Sequence, residues 1–234
     1  MVIINKTGIL YGIGVGTGDP EDITLKAQRI ISETDYIAIP GDIKEETIAY
    51  RIIEPVVDNL QDKTYIYCPV KMTKDPVQLN RDYDSAAGKI AEVLNRGENV
   101  AFLTIGDPTI YATYMYIHQR VEKLGYKAQI ISGIPSFCAA AAALDISLSE
   151  RSDQLHIIPS SYDIEASLDY PGNKILMKAA SHMADVKKLL LERDADVYMV
   201  ENCGMENQRI FRSAAEIDEN AGYLSVVIVK DKHK

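Results

Sequence analysis

The chain has 234 residues, of which 47 % are hydrophobic and 25 % are charged, as in globular proteins of one large or two smaller domains. Its net charge of −9 argues against general nucleic-acid binding, because that affinity depends on basic side chains that neutralise phosphates. The uncharged, alanine-rich run at residues 131–144 is too short to span a bilayer, and we expect no membrane partner.

The start of the chain and its cysteines predict a cytoplasmic protein. The first residues lack a basic start, an unbroken apolar block and a cleavage site, so we predict no secretion signal. Cys68, Cys138 and Cys203 are far apart and odd in number, which argues against a disulfide framework and fits a reducing compartment. None of them has zinc-ligand spacing or a histidine cluster nearby, so we expect no metal held by the protein.

Alternating strands and helices are predicted from the beginning of the chain. Residues 9–15 predict a strand that ends in a glycine-rich turn, where Asp19 is suited to cap a helix and Pro20 to open it. Further along, we predict strands at 36–39 and 64–68 and helices at 44–59 and 83–95. The polar connection at 69–81 is predicted to be an active-site loop.

A short apolar run at residues 100–103 predicts a buried central strand that stops at a sharp polar turn. This turn contains Gly106, Asp107 and Pro108, and the Asp-Pro pair is suited to begin a helix that runs to residue 120. A further strand at 128–131 ends at a similar turn. If these strands share one sheet with the first strand, their turns lie at one edge and form a common crevice for a ligand.

The second half of the chain repeats the alternation with new elements. We predict helices at 137–144 and 183–193, and strands at 155–159, 174–177, 197–200 and 223–229. Alternation throughout the chain predicts an α/β fold with largely parallel strand pairing.

The glycine-rich turns do not fit the common phosphate-binding motifs. A dinucleotide-binding loop requires Gly-x-Gly-x-x-Gly, but Thr17 occupies the third glycine position after Gly12 and Gly14. The carboxylates of Asp19 and Asp22 follow directly and would repel a phosphate. Neither Gly-Lys-Ser/Thr nor Gly-x-Ser-x-Gly occurs in the chain, which argues against a P-loop and against a nucleophile elbow.

A crevice of backbone amides, small residues and one carboxylate suits a ligand of mixed charge with a positive centre. S-adenosylmethionine has this character, since it joins an adenosine, an amino acid and a sulfonium without any phosphate. Methyl transfer from it needs no metal, and the main task of the protein is to align donor and acceptor. These features permit a methyltransferase without singling it out, and a nucleotide-sensing module remains an alternative.

Several motifs are spread in order over nearly the whole chain. They lie at residues 12–20 with 25–27, 104–108, 132–136, 176–178, and 200–205 with Gln208 and Arg209. Together they resemble the motifs of the tetrapyrrole (corrin/porphyrin) methylase family. The stretches at 71–87 and 100–111 are similar to the members that methylate C-20 of precorrin-2 or of cobalt-factor II.

The resemblance implies the domain organisation and the cofactor. It implies two α/β domains, residues 1–134 and 135–234, with a cleft between them, in a homodimer. It also implies S-adenosyl-L-methionine as the methyl donor and S-adenosyl-L-homocysteine as the product. The residues implied to contact the donor are Thr17, Ile105, Gly106, Asp107, Ile110, Pro135, Ser136, Met177 and Cys203, with Leu224 or Ser225 as further candidates.

The implied acceptor is a flat tetrapyrrole with eight acidic side chains. The candidate residues for binding these carboxylates are Lys71, Lys74, Arg81, Arg151 and Lys178. Asp107 or Tyr111 is the candidate catalytic base that removes the C-20 proton. The alternatives within the family are methylation at another position of the corrin ring and methylation of a diphthamide precursor on a protein.

Overall fold

A computed structural model describes residues 7–159 and 164–232 of the chain. The chain divides into two compact units, Met1–Pro135 and Ser136–Lys234. Each unit combines one sheet with helices, which confirms the predicted α/β class. Within the described residues, no helix is both long enough and apolar enough to cross a bilayer.

The described part of the first unit contains a five-stranded sheet in which every pair is parallel. Its strands are β1 (Ile9–Gly14), β2 (Tyr36–Ile39), β3 (Thr64–Tyr67), β4 (Val100–Thr104) and β5 (Lys127–Ile131), in the spatial order β3-β2-β4-β1-β5. All residues of β4 are buried, as the apolar run predicts. Because the strands are parallel, the turns after β1, β4 and β5 lie at one edge of the sheet, which confirms that prediction.

The helices of the first unit cover both faces of this sheet. They are α1 (Leu25–Glu33), α2 (Ile48–Ile53), α3 (Pro76–Leu94) and α4 (Tyr114–Lys123). Ile13 and Leu103 pack with α1 and α2 on one face, whereas Leu10 and Phe102 pack with α3 and α4 on the other. The neighbouring strands β1 and β4 are therefore followed by helices on opposite faces, and such a switch point is where open α/β sheets bind ligands.

Four helices of the first unit differ from the sequence prediction. Asp75 caps α3 by accepting a hydrogen bond from the Val77 N–H, so much of the predicted loop at 69–81 is helical. Asp19 caps only a short 3-10 turn, and α1 begins after a second cap at Thr24. The helix expected from residue 111 begins at Tyr114, and the helix expected at 44–59 is reduced to a 3-10 turn and α2.

The second unit begins with α5 (Ser136–Leu144) and contains a mixed sheet. Its other elements are β6 (Leu155–Pro159), α6 (Ile164–Leu168), β7 (Asn173–Met177), α7 (Met183–Leu191), β8 (Ala195–Glu201), β9 (Arg209–Phe211) and β10 (Ser225–Asp231). Among the described strands the order is β6-β7-β10-β8-β9, and β10 lies antiparallel between β7 and β8.

The prediction of largely parallel pairing is wrong for this second sheet. Only β6 and β7 pair in parallel among its described strands, whereas the β8–β9, β8–β10 and β7–β10 pairs are antiparallel. A hairpin joins β8 to β9, and the connection from β9 to β10 holds only a 3-10 turn, Ala214–Glu216. These short connections do not require the helical crossover that parallel neighbours need.

Candidate functional site

The turns after β1, β4 and β5 are joined by direct hydrogen bonds. The Gly106 N–H after β4 donates to the Gly16 carbonyl after β1 at 2.7 Å. The Gly133 N–H after β5 donates to Asp107 Oδ2 at 3.0 Å. Three turns that are distant in sequence therefore form one junction at the edge of the first sheet.

Glycine allows the three backbones to approach one another this closely. A Cβ added to Gly14 would lie 2.5 Å from the Gly106 carbonyl oxygen, and one added to Gly133 would lie 2.2 Å from the same atom. Gly106 also has φ of 70°, a left-handed conformation that favours glycine. The junction is thus built from backbone amides and carbonyls, and a ligand there would meet main-chain groups.

Asp107 holds this junction together through both carboxylate oxygens. Its side chain accepts hydrogen bonds at Oδ1 from the Thr109 N–H at 2.8 Å and from Thr109 Oγ1 at 2.5 Å, in addition to the Gly133 bond. The residue is 8 % exposed. With three donors already directed at it, the carboxylate orients the turns, and it caps a turn rather than the helix that the sequence predicts.

Thr17 contributes a buried hydroxyl beside the junction. The residue is 5 % exposed, and its Oγ1 has no hydrogen-bond partner among the described residues. A buried hydroxyl without a partner is costly, so this group fits a polar ligand atom. The same turn carries Asp22, whose pKa is raised by burial and by the nearby charge of Asp19.

The other candidate residues of the first unit follow the same turns. Ile105 and Ile110 flank Asp107 and are half-buried, and Pro135 ends the unit after the β5 turn. Tyr111 is 43 % exposed and has φ of 48°. A left-handed backbone is uncommon for a tyrosine, and such conformations concentrate at functional sites.

The second unit gathers its candidate residues at one edge of its own sheet. Met177 is the last residue of β7 and pairs with Val226, while the end of β8 pairs with Ser225. The Asn202 N–H donates to the Leu224 carbonyl at 3.0 Å, which places the segment with buried Cys203 beside the start of β10. Met177, Cys203, Leu224 and Ser225 are therefore neighbours, while Ser136 begins α5.

The backbone at this edge of the second sheet is irregular. Lys178 and Asn202 directly follow β7 and β8 with φ of 58° and 52°, and Gly204 has φ of 77°. Lys178 is half-buried, and desolvation lowers the pKa of its ammonium. Polar side chains and left-handed backbone conformations thus concentrate where the candidate contacts lie.

The remaining basic candidates are solvent-exposed. Lys71 and Lys74 precede α3, Arg81 lies in its second turn, and Arg151 precedes β6. The Lys71 N–H donates to Asp82 Oδ2 at 3.0 Å, and this bond is the main reason that the pKa of Asp82 is low. Across the residues that the structure describes, no three His, Cys, Asp or Glu side chains are placed to hold a metal ion.

The sequence matches known proteins over nearly its full length. The family model of the Tetrapyrrole (Corrin/Porphyrin) Methylases matches residues 9–218. A probable cobalt-precorrin-2 C(20)-methyltransferase of Methanocaldococcus jannaschii is 32 % identical over 225 residues, which are 94 % of this chain and 95 % of the relative. A precorrin-2 C(20)-methyltransferase of a Sinorhizobium species is 26 % identical over 95 % of both chains.

Solved structures of methyltransferases share the fold. A cobalt precorrin-4 methyltransferase superposes with a TM-score of 0.74 and 17 % identity, covering 95 % of this chain and 94 % of its own. A uroporphyrin-III C-methyltransferase of Thermus thermophilus, complexed with S-adenosylhomocysteine, superposes with a TM-score of 0.67 and 18 % identity. That alignment covers 96 % of this chain and 98 % of the other.

The family model spans both units, from β1 to the connection that precedes β10. It includes every turn of the first-unit junction and most of the second-unit edge. On this match, the chain belongs to the tetrapyrrole (corrin/porphyrin) methylase family.

Proposed function

We propose that this chain transfers the methyl group of S-adenosylmethionine to C-20 of precorrin-2, or of its cobalt-containing counterpart, in cobalamin biosynthesis. The observation that carries the proposal is the 32 % identity to a relative of that name across 94 % of the chain. Two further relatives, from Sinorhizobium and Salmonella typhimurium, have names with the same ring position and are covered over at least 95 % of their length.

The first-unit junction supports S-adenosylmethionine as the donor. A ligand with an amino acid and an adenosine offers several hydrogen-bonding groups to backbone amides and carbonyls. The buried Thr17 hydroxyl, which has no partner among the residues that the structure describes, could bond one of them. The acidic residues Asp19 and Asp22 in the same turn disfavour a pyrophosphate. We therefore propose donor contacts in the first unit from Thr17, Ile105, Gly106, Asp107, Ile110 and Pro135.

In the second unit we propose donor contacts from Ser136, Met177 and Cys203. Met177 and Cys203 are neighbours of Leu224 and Ser225, the two further candidates, at one edge of the sheet. A half-buried methionine and a buried cysteine offer apolar, polarisable contacts rather than charge. Such contacts suit the adenosine rather than the amino-acid end of the donor.

The chemistry supplied by the donor is an electrophilic methyl group, which bonds to C-20 as the S–C bond breaks and the C-20 proton leaves. The residues of the chain align the two reactants and accept the proton. Asp107 is occupied by three internal donors, so we propose an orienting role for it and assign the proton acceptor to Tyr111. The phenolic oxygen takes the C-20 proton as its own hydroxyl proton passes to solvent, to which Tyr111 is 43 % exposed. A Tyr111→Phe variant should slow methyl transfer while leaving the affinity for S-adenosylhomocysteine unchanged.

The acidic side chains of the tetrapyrrole require positive charge from an acidic protein. Lys178 is the strongest candidate, because it follows β7 directly and is partly shielded from water. Further candidates are the exposed residues Lys71, Lys74, Arg81 and Arg151. An ion pair between any of them and a substrate carboxylate is weaker, because solvent screens the charges. We also propose a homodimer in the cytoplasm, to be checked by light scattering after gel filtration.

The decisive experiment supplies the purified chain and S-adenosylmethionine with precorrin-2 or with cobalt-factor II. Mass spectrometry should show the gain of one methyl group, and the visible spectrum and NMR of the product should place it at C-20. Methylation elsewhere on the ring would instead support the alternative of a different position. Binding of S-adenosylhomocysteine without transfer to either macrocycle would contradict the proposed substrate and favour another acceptor, such as a diphthamide precursor.

A further inference from the structure

A buried carboxylate lies at the edge of the second sheet that carries the candidate donor contacts. Glu201 is the last residue of β8 and is 5 % exposed. Its Oε1 accepts a hydrogen bond from the Gly222 N–H at 2.5 Å, and its Oε2 accepts one from Arg209 Nε at 2.6 Å. The same Oε2 also contacts Nη2 of Arg209. The carboxylate is therefore fully satisfied, as a charge removed from water must be.

Arg209 extends this contact to a second carboxylate. It opens β9, and its Nη1 donates to Asp218 Oδ2 at 2.7 Å. Asp218 in turn accepts a hydrogen bond from the Asn220 N–H at 2.9 Å. That bond and the guanidinium keep the pKa of Asp218 below its usual range. We refer to Glu201, Arg209 and Asp218 as the arginine cluster.

The arginine cluster connects the two segments on which Cys203 and Ser225 lie. Asn202 follows Glu201 directly in a left-handed conformation and donates to the Leu224 carbonyl. On the other side, Gly222 is bonded to Glu201, and its carbonyl accepts a hydrogen bond from Ser225 Oγ at 2.8 Å. A displacement of the Glu201 carboxylate would thus move both segments together.

A second ion pair in the same sheet, with one buried and one partly exposed partner, provides a comparison. Lys174, which is 3 % exposed, donates to Asp231 Oδ1 at 2.6 Å, and the Gly172 N–H donates to Oδ2 of the same residue. This pair joins the start of β7 to the end of β10, at the opposite edge of the sheet from the arginine cluster. If both pairs only stabilise the fold, breaking either one should have the same consequence.

We infer that the arginine cluster is a positioning device that sets the affinity for the methyl donor, by holding the segments of Cys203 and Ser225 in their binding conformation. The inference rests on the proposed function, because it needs those segments to contact the donor. None of the three side chains is required to touch the donor. Their contribution is to hold two otherwise irregular segments in register, so that little conformational freedom is lost on binding.

The test compares Glu201→Gln and Arg209→Lys with Asp231→Asn as the matched control. Glutamine keeps the shape of Glu201 but turns one acceptor into a donor that faces an N–H, and lysine cannot make the two-pronged contact of arginine. We expect the Kd for S-adenosylhomocysteine and the KM for S-adenosylmethionine to rise about tenfold in both cluster variants. In all three variants the KM for the tetrapyrrole should stay within about twofold of the wild-type value. The control Asp231→Asn should also bind the donor within about twofold of the wild type, although the loss of its ion pair lowers its melting temperature.

The outcomes separate the inference from the proposed function. A wild-type chain that does not bind S-adenosylhomocysteine would overturn both. The inference alone would be overturned if the wild type binds S-adenosylhomocysteine and both cluster variants bind it with an affinity within about twofold of the wild type. It would also be overturned if Asp231→Asn weakens donor binding as much as the cluster variants do. Should Glu201→Gln fail to fold, Arg209→Lys still decides the result, because its side chain is 47 % exposed and the charge is kept.

Discussion

Replacing Thr17 by valine should have opposite effects on the free protein and on donor binding. Valine matches threonine in shape but lacks the hydroxyl, which is buried and has no hydrogen-bond partner among the described residues. In the free protein the substitution removes an unsatisfied polar group. In the complex it removes the group that we propose to bond the donor.

The two effects have the same physical origin and a similar size. An unsatisfied buried hydroxyl costs about 1–3 kcal/mol, so Thr17→Val should raise the free energy of unfolding by roughly that amount. For a chain of this length, each kcal/mol corresponds to about 2–4 °C in melting temperature. Because the wild type recovers this cost when a ligand bonds the hydroxyl, the variant should bind S-adenosylhomocysteine about 5- to 150-fold more weakly.

Calorimetry with S-adenosylhomocysteine and thermal melting without ligand measure both quantities. Thr34→Val is the matched control in the same unit, because Thr34 is 3 % exposed and its hydroxyl donates to the Ile30 carbonyl at 2.7 Å. Removing that satisfied hydroxyl should lower the stability by about 1 kcal/mol and leave donor affinity unchanged.

Two results would refute this reasoning about Thr17. If Thr17→Val raises the melting temperature but binds S-adenosylhomocysteine as the wild type does, the hydroxyl is a cost of the turn and contacts no donor atom. If the variant is less stable than the wild type, the hydroxyl has a partner in solution and the premise itself is wrong.

Three further predictions concern the junction and the thiols. Asp107→Asn places an amide group opposite the Gly133 N–H. Calorimetry should therefore show weaker binding of S-adenosylhomocysteine, and the melting temperature should fall. Unchanged values would show that the Asp107 carboxylate does not hold the junction together. Gly133→Ala forces a Cβ to within 2.2 Å of a carbonyl oxygen and should destabilise the fold or prevent it, whereas Gly88→Ala, in helix α3 with open space around it, should stabilise it by about 0.5–1 kcal/mol in denaturant titrations. Burial raises the pKa of Cys68 to about 12, so its reactive thiolate is scarce at pH 8.5 and becomes abundant only as the pH approaches about 12. Mass spectrometry should therefore find Cys68 alkylated by iodoacetamide at pH 8.5 only after the protein is unfolded by urea.

The strands of the first unit and their turns were predictable because their signals are local. The apolar run at β4 and the glycine and proline residues beyond it act within a few positions, and parallel pairing then brings the turns together. The contacts that make a site of these turns are not local. The bond from Gly133 to Asp107 joins residues 26 positions apart, and the sequence does not reveal that it takes the carboxylate away from a helix cap.

The errors in the second unit have a different physical cause. Alternation of strands and helices predicts elements but not the direction in which a strand enters a sheet, so it does not predict the antiparallel placement of β10. The three-residue strand β9 is too short for a periodic signal, although it positions Arg209. The bond between Glu201 and Gly222 is likewise not predictable from local signals, since Gly222 lies 21 residues away in a connection whose only regular element is a 3-10 turn.

The position of β10 also has a consequence for biosynthesis. The five described strands of the first sheet have been translated once residue 131 is made, so that sheet can assemble while the nascent chain is still growing. The second sheet has to wait, because β7 and β8 lack their shared neighbour until residues 225–231 emerge. Ribosomes that stall or terminate before Ser225 would release a chain with two unpaired strand edges, a template for aggregation, and quality control should therefore recognise the second unit first.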